Sequence, residues 1–315
     1  NLACISLSMS DYYGLRGKAL RMFLRPGARV SVTVLSLLVG ALTATPVIML
    51  LVGSFSEGLT ATGAFTLEKY IEAYSNPALP RILLNTIMFI LGSAAFATLL
   101  AFTLAYLNVR TDMPFKGVFN VIPIIPMMIP HILFAVSWML LLNPSNGIIN
   151  LSIRALFHTR GSLFNIYTLP GMIFVEGLLD LPIAYLIVAP AMASFDPSLE
   201  EASRISGASG WHTLRRITLP VLKPALLASF TLVLVRSLAA FAVPTMIGMP
   251  GRVYVLSTHI YRLISIGYAT DYGEAAAVGV IVLATSISFI FLYRKLTSET
   301  EKYVTVTGKG YRPAL

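Results

Sequence analysis

The sequence predicts an all-α, polytopic membrane protein with about six transmembrane helices, and three observations lead there. Apolar residues make up 56% of the chain, charged residues 12%, and the mean hydropathy is +0.78, whereas a soluble domain carries about a quarter charged residues. The apolar residues gather in runs close to the roughly 20 residues that span a bilayer. Those runs are continuous rather than alternating apolar and polar over about ten residues, which excludes barrel strands. A spanning backbone must satisfy its own hydrogen bonds, so the remaining solution is helical.

The first predicted span is Val30–Val52, preceded by a basic segment (1–29) carrying Arg16, Lys18, Arg21, Arg25 and Arg29, with no cleavable signal pattern. The second is Ile82–Leu107. Val118–Leu142 is the third, interrupted by Pro123, Pro126 and Pro130, and Leu169–Met192 is the fourth, holding Pro182 and Pro190. The fifth, Leu222–Val243, is closed by Pro244, and the sixth is Ala275–Tyr293. Proline removes a backbone donor and bends a helix. The bends suit a pathway that opens and closes, although proline is also common in ordinary membrane helices. The membrane domain therefore runs over 30–293, with a polar loop at 194–221 and a tail at 294–315.

The basic residues orient the chain. With the N-terminus inside, sixteen of the 23 Lys and Arg fall in inner segments, six in outer segments, and Arg236 within a span. That excess predicts cytoplasmic termini and a cytoplasmic 194–221 loop. It also accounts for the net charge of +9 without nucleic acid.

The inner loop Glu201–Pro220, EASRISGASGWHTLRRITLP, is a polar island between two apolar runs. Asp196-Pro197-Ser198 reads as a helix start, with Glu200 and Glu201 in the first turn where the helix dipole favours acid. Helical spacing places Leu199, Ala202 and Ile205 on an apolar stripe and Glu201 and Arg204 on the polar side. Gly207 permits a sharp turn. A second short helix over 210–217 offers Trp211, Leu214 and Ile217, and Pro220 is expected to mark its end before the fifth span. On spacing alone this helix–turn–helix, lying flat at the membrane surface, is an interfacial loop against lipid or a docking surface.

The spacing of Glu201, Ala202, Gly207, Ile217, Leu219 and Pro220 resembles the EAA loop of binding-protein-dependent ABC importer permeases of type I, with Ser203 in place of the second alanine. Asp196-Pro-Ser-Leu-Glu-Glu-Ala, Ile247-Gly-Met-Pro, Val255-Leu-Ser-Thr, Asp271-Tyr-Gly-Glu-Ala-Ala-Ala and Thr305-Val-Thr-Gly-Lys-Gly-Tyr-Arg-Pro313 are similar to the ferric-iron type, over roughly 65–313. In that type two six-helix halves are often fused, and the Gly-Lys-Gly-Tyr-Arg-Pro stretch resembles the junction. Together with Asn1 at the start, this leaves the chain as a natural half or the N-terminal part of a longer polypeptide.

The resemblance implies a permease half of an ATP-driven importer in the bacterial inner membrane. Its expected partners are a dimer of cytoplasmic ABC ATPases in whose groove the loop sits, a second permease half, and a periplasmic solute-binding protein. That protein would meet the outer loops 54–81, 143–168 and 244–273. Ferric iron is the first expected solute; polyamine, thiamine, sulfate and aminoethylphosphonate are alternatives within the same machinery. An ion-coupled secondary carrier is the alternative of a different class.

No catalytic set, cofactor site or metal site is expected. Gly308-Lys309-Gly310 lacks the Walker pattern, since Tyr303 stands where its first glycine belongs and Gly310 follows the lysine. His131, His158, His212 and His259 form no paired zinc motif, and Cys4 is alone. Asn150-Leu151-Ser152 fits a glycosylation pattern that carries little weight beside a bacterial resemblance. Three ionisable residues lie within spans and are functional candidates. Asp180 and Arg236 each fall about 14 residues from the inner ends of their helices, or roughly 21 Å deep. They are expected to form an ion pair that fixes helix register, with direct contact to solute as the alternative. Glu176, one turn from Asp180, is expected to be a solvated helix-end residue or to line a cation's entry.

Overall fold

The computed structural model describes residues 26–56, 65–158, 161–265 and 271–304, and the side chains of 30–56, 65–158, 161–265 and 271–291. The basic stretch before residue 26, Cys4, Gly308-Lys309-Gly310 and the 305–313 tail lie outside it. Every named element is helical, apart from one isolated bridge between Ser56 and Phe65. Five helices are long and apolar enough to span a membrane, and a bent helix pair supplies the sixth apolar segment.

The centre is built by α3 (Leu79–Arg110), α7 (Leu169–Ser194) and α10 (Leu219–Leu238), which pack along one another. In α3 the fully buried Ala94, Ala97, Ala101 and Ala105 recur every three or four residues, making a smooth face that lets helix backbones approach. Gly177 of α7 meets α3 closely: a Cβ there would lie 2.5 Å from Phe96 Cδ1 and 3.3 Å from Ser93 O, so a larger residue requires the Phe96 ring to shift. The burial gradient across the spans identifies the centre. In α7 61% of the apolar window is buried, against 0% in α1 (Pro26–Gly53), which touches chiefly α12 (Tyr272–Val304).

The remaining elements are short. They are α2 (Glu68–Ser75), α4 (Lys116–Val121), α5 (His131–Leu142), α6 (Ile148–Phe157), α8 (Ser198–Ile205), α9 (Gly210–Thr213) and α11 (Leu256–Ser265).

Two predicted spans differ in the structure. The continuous third span Val118–Leu142 is instead α4, a 3₁₀ stretch at Ile122–Met128 and α5, with the halves bent by 108°. Pro123, Pro126 and Pro130 withdraw three amide donors within eight positions, and Pro130 caps the start of α5 in an extended conformation.

The fifth span is longer at its loop end and shorter at the other. It runs unbroken over Gly210–Leu238, and Pro220 interrupts nothing. A π turn at Leu214–Thr218 carries the chain into α10, with Leu219 N–H bonding to Leu214 O. Shifting the ladder by one residue removes the clash between the Pro220 ring and the preceding turn. The second loop helix is therefore the beginning of the span, not a separate helix lying flat. Pro244 closes no helix: α10 stops at Leu238, and Pro244 opens a π turn at Pro244–Gly248.

Candidate functional site

Three groups of polar residues interrupt this apolar bundle, two at the loop end and one in the middle. At the loop end, α8 and α9 meet at a tight turn over 206–209. Gly207 adopts φ +81°, the left-handed region, and its N–H bonds to Arg204 O. Ser203 Oγ lies 2.9 Å from Thr213 Oγ1 and joins the two helices, while Ser209 Oγ accepts from His212 N–H and caps α9. The substitution of Ser for Ala at 203 thus adds a hydrogen bond that spacing alone does not reveal.

Glu201, Ala202, Gly207 and Pro220 are exposed, whereas Ile217 and Leu219 are half-buried. Leu199, Ile205 and Trp211 turn 50%, 86% and 69% of their surfaces outward. The apolar stripe expected from spacing is present, and it is directed away from the rest of the chain.

Beneath that surface is a pair that sequence reasoning missed. Glu200 is buried, and its carboxylate takes a hydrogen bond from the Thr218 hydroxyl. Its other oxygen lies 3.2 Å from Arg110 Nε at the end of α3. Arg110 also donates from Nη2 to Phe195 O at 2.8 Å and stacks over the Phe195 ring at 5.1 Å. One buried guanidinium therefore joins α3, the α7 terminus and α8. The available signal was Arg110 at one helix end and Glu200, the first of two adjacent acids, at the start of another, but depth of burial has no sequence signature there. A neutral relay lies a little deeper. Asn108 Nδ2 donates to Tyr185 Oη at 2.9 Å, and Tyr185 Oη donates to Asn120 Oδ1 at 2.8 Å, linking α3, α7 and α4.

In the middle of the bundle Arg236 Nε stands 2.9 Å from Asp180 Oδ1, and Ser237 Oγ donates to Asp180 Oδ2 at 3.2 Å. Asp180 is fully buried, while the Arg236 side chain keeps 40% of its surface open. The structure thus brings together the two charges that helical depth placed at one level. Glu176 does not join them by any hydrogen bond or ion pair. It is only 5% exposed, which corrects the expectation of a solvated helix-end residue: α3 packs against this part of α7 and covers it. Among the described residues no group of three or more His, Cys, Asp or Glu is placed to hold a metal ion.

A fourth feature lies at the opposite end of the bundle, where α3, α11 and α12 surround a cleft of about 690 Å³. Arg81, Arg252, Arg262, Asn85 and His259 line it. Beside it Lys69 Nζ bonds Asp271 and Glu72, each at 2.7 Å.

With this geometry in hand, similarity to known proteins is informative. The family described as "binding-protein-dependent transport system inner membrane component" matches residues 96–302. The putative ferric transport system permease protein FbpB 1 of Haemophilus influenzae is 30% identical over 272 residues, covering 85% of this chain and 41% of the relative. The ferric transport system permease protein FbpB of Actinobacillus pleuropneumoniae is 29% identical, covering 85% and 37%. The chain thus spans about two fifths of the length of these two relatives. The sulfate transport system permease protein CysT of Escherichia coli is 23% identical, covering 73% and 80%. In fold, the chain is similar to a crystallised bacterial alginate ABC transporter chain with a TM-score of 0.69 and 19% identity, covering 93% and 99% of the two chains. A family match over most of the chain, joined to this all-helical fold, settles membership: the chain belongs to the binding-protein-dependent transport system inner membrane components, a family of multi-pass permeases.

Proposed function

We propose that this chain is one permease half of an ATP-driven ABC importer, and that it couples to its ATPase through the Glu201–Pro220 loop. The observation that carries this reading is the outward apolar face of Leu199, Ile205 and Trp211, beside the exposed Glu201. An apolar face rimmed by polar groups on a helix end suits a protein partner. The same loop is joined rigidly to three helices, so its movement is transmitted to them. ATP is bound and hydrolysed by the partner subunits; this chain moves between inward-open and outward-open arrangements and performs no chemistry on the solute. A second permease half completes the pathway, and a periplasmic binding protein delivers solute at the end opposite the loop. Both termini lie in the cytoplasm.

Ferric iron is the proposed solute, supported by the two ferric permease relatives. Sulfate is the second reading, favoured by the sulfate permeases among the relatives. The test is uptake in proteoliposomes holding the assembled transporter and its binding protein, with labelled ferric iron and labelled sulfate compared. Glu201→Ala is expected to abolish ATP-dependent uptake while leaving membrane insertion and assembly of the permease halves intact. Uptake that continues without ATP would instead identify an ion-coupled carrier.

A further inference from the structure

The cleft remote from the coupling loop combines free cations with an unpartnered buried ring. Arg81, Arg252 and Arg262 all line it, and none of them has an ion-pair partner among the described residues. With Lys69 close by, the cations outnumber the carboxylates of Asp271 and Glu274 at the rim, and Asp271 is already held by Lys69. At the floor lies His259, 5% exposed, with neither ring nitrogen hydrogen-bonded to any of the described residues. A buried polar group without a partner is costly, and it calls for a ligand atom.

The turn that carries Arg252 and the ring beneath Arg262 are fixed. Arg252 adopts φ +55°, a left-handed conformation that a side chain rarely takes. The turn that imposes it is closed by Val253 N–H to Gly248 O at 2.8 Å. It is pressed onto the bundle at Gly251, where a Cβ would stand 2.3 Å from Tyr167 O. Arg262 Cζ stands over the Tyr254 ring at 4.4 Å, a cation–π contact that leaves its N–H groups without an ion-pair partner among the described residues. Asn85 Nδ2 donates to Tyr254 O at 3.1 Å and steadies that platform.

We propose that this cleft is a binding site for a small multivalent oxyanion, of the sulfate, phosphate or polycarboxylate class. Arg81, Arg252 and Arg262 supply charge-assisted hydrogen bonds, and His259 donates from the floor. Planar guanidinium forks match the paired oxygens of such ions. A cleft of about 690 Å³ also holds a polycarboxylate. The depth of His259 favours a free ion over a carboxylate borne on the surface of a docking protein, because a small ion approaches a buried ring more closely than a group fixed to a protein surface. The inference does not rest on ferric iron as the solute, and since sulfate is the second solute reading, binding of sulfate alone by a chain that also transports sulfate would assign the ion to the pathway and overturn a separate site.

The test is calorimetric titration of the assembled transporter in nanodiscs, at constant ionic strength, with sodium sulfate, sodium phosphate and sodium citrate against sodium chloride. Saturable binding of at least one of the three is expected. Arg252→Gln and Arg262→Gln should each weaken it about tenfold or more, because each removes hydrogen bonds to a charged ligand. Both side chains are exposed, so the variants should keep the wild-type thermal midpoint without anion. Lys116→Gln, at a half-buried cation at the other end, should bind as wild type. The proposal is overturned if none of the three ions binds saturably, or if Lys116→Gln weakens binding as much as the cleft variants. It is equally overturned if the arginine variants weaken only docking of the solute-binding protein, which would make the cleft a receptor for a protein carboxylate.

Discussion

Two ion pairs join helices of this bundle, and they differ in what surrounds them. In the Glu200–Arg110 pair at the loop end both side chains are almost wholly enclosed, at 7% and 9% exposure. In the Asp180–Arg236 pair the carboxylate is fully enclosed but the guanidinium keeps 40% of its surface. The first pair joins three elements through hydrogen bonds to Thr218 and Phe195 and a ring stack. The second joins two helices and a neighbouring serine. On the proposed mechanism, enclosure on both sides suits a joint that transmits force. The half-open arginine can reorganise its contacts when the helices move.

The sharpest way to break this contrast is to remove one partner of the enclosed pair. Glu200→Ala leaves a buried guanidinium without a carboxylate, a change expected to cost about 3–5 kcal/mol. Thermal unfolding of the purified transporter should show that loss, and ATPase activity should become independent of the solute-loaded binding protein. Replacing both partners by apolar residues, Glu200→Leu with Arg110→Met, should recover much of the stability, since a well-packed apolar pair matches or exceeds a buried ion pair. If the double variant also recovers uptake, the joint acts by packing alone.

Asp180→Asn is expected to cost less, about 1–3 kcal/mol. The amide still accepts from Ser237, and Arg236 turns its freed charge to the open side. Uptake should fall while the stimulation of ATPase activity by the binding protein is retained. A loss of stability equal to that of Glu200→Ala would erase the distinction between the two pairs.

These two pairs also show what sequence conveys and what it omits. Asp180 and Arg236 were legible because they are isolated charges in apolar runs and helical rise places them at one depth. Glu200 and Arg110 were not, because both lie at helix ends, where charge is ordinary and burial depends on how three elements converge. The long spans followed from apolar run length. The third did not: three prolines announce interruption, but their spacing does not fix a bend of 108° or the packing of the 3₁₀ stretch and α5 on α7. Nor did periodicity reveal that Pro220 is absorbed by a π turn, because that adjustment lies in the backbone ladder.

Gly207 allows a smaller test of how rigid the loop must be. A Cβ there would meet nothing within 4 Å, so the effect of Gly207→Ala comes only from the left-handed φ of +81°. That conformation costs an L-residue about 1–2 kcal/mol. The loop should relax toward another turn, lowering coupling with only a slight change in the thermal midpoint of the bundle. Asn at this position tolerates the left-handed region better, so Gly207→Asn should retain more uptake than Gly207→Ala. Equal uptake in both would show that the partner, rather than this turn, sets the loop conformation.

The smallest effect belongs to the ion pair at the opposite end, where both carboxylates are partly open to solvent. The hydrogen bond to Asp271, followed by that to Glu72, raises the Lys69 pKa above its usual value. Burial acts to raise the Asp271 pKa, but the Glu274 N–H and Lys69 outweigh it, and the net shift is downward. A lowered carboxylate contributes stability that is present above its unfolded value, about 3.9, and is lost as pH falls through the folded value. A raised lysine contributes stability that is complete below about 10.5 and fades only as pH rises through the folded value. Near neutral pH both contributions are therefore intact. Lys69→Met should cost no more than about 1 kcal/mol there, as expected of a partly solvated pair. Its thermal midpoint should converge with the wild type as pH is lowered through the Asp271 titration, because the wild type then loses the same interaction. A gap that persists unchanged into strong acid would assign the effect to packing of the lysine stem instead.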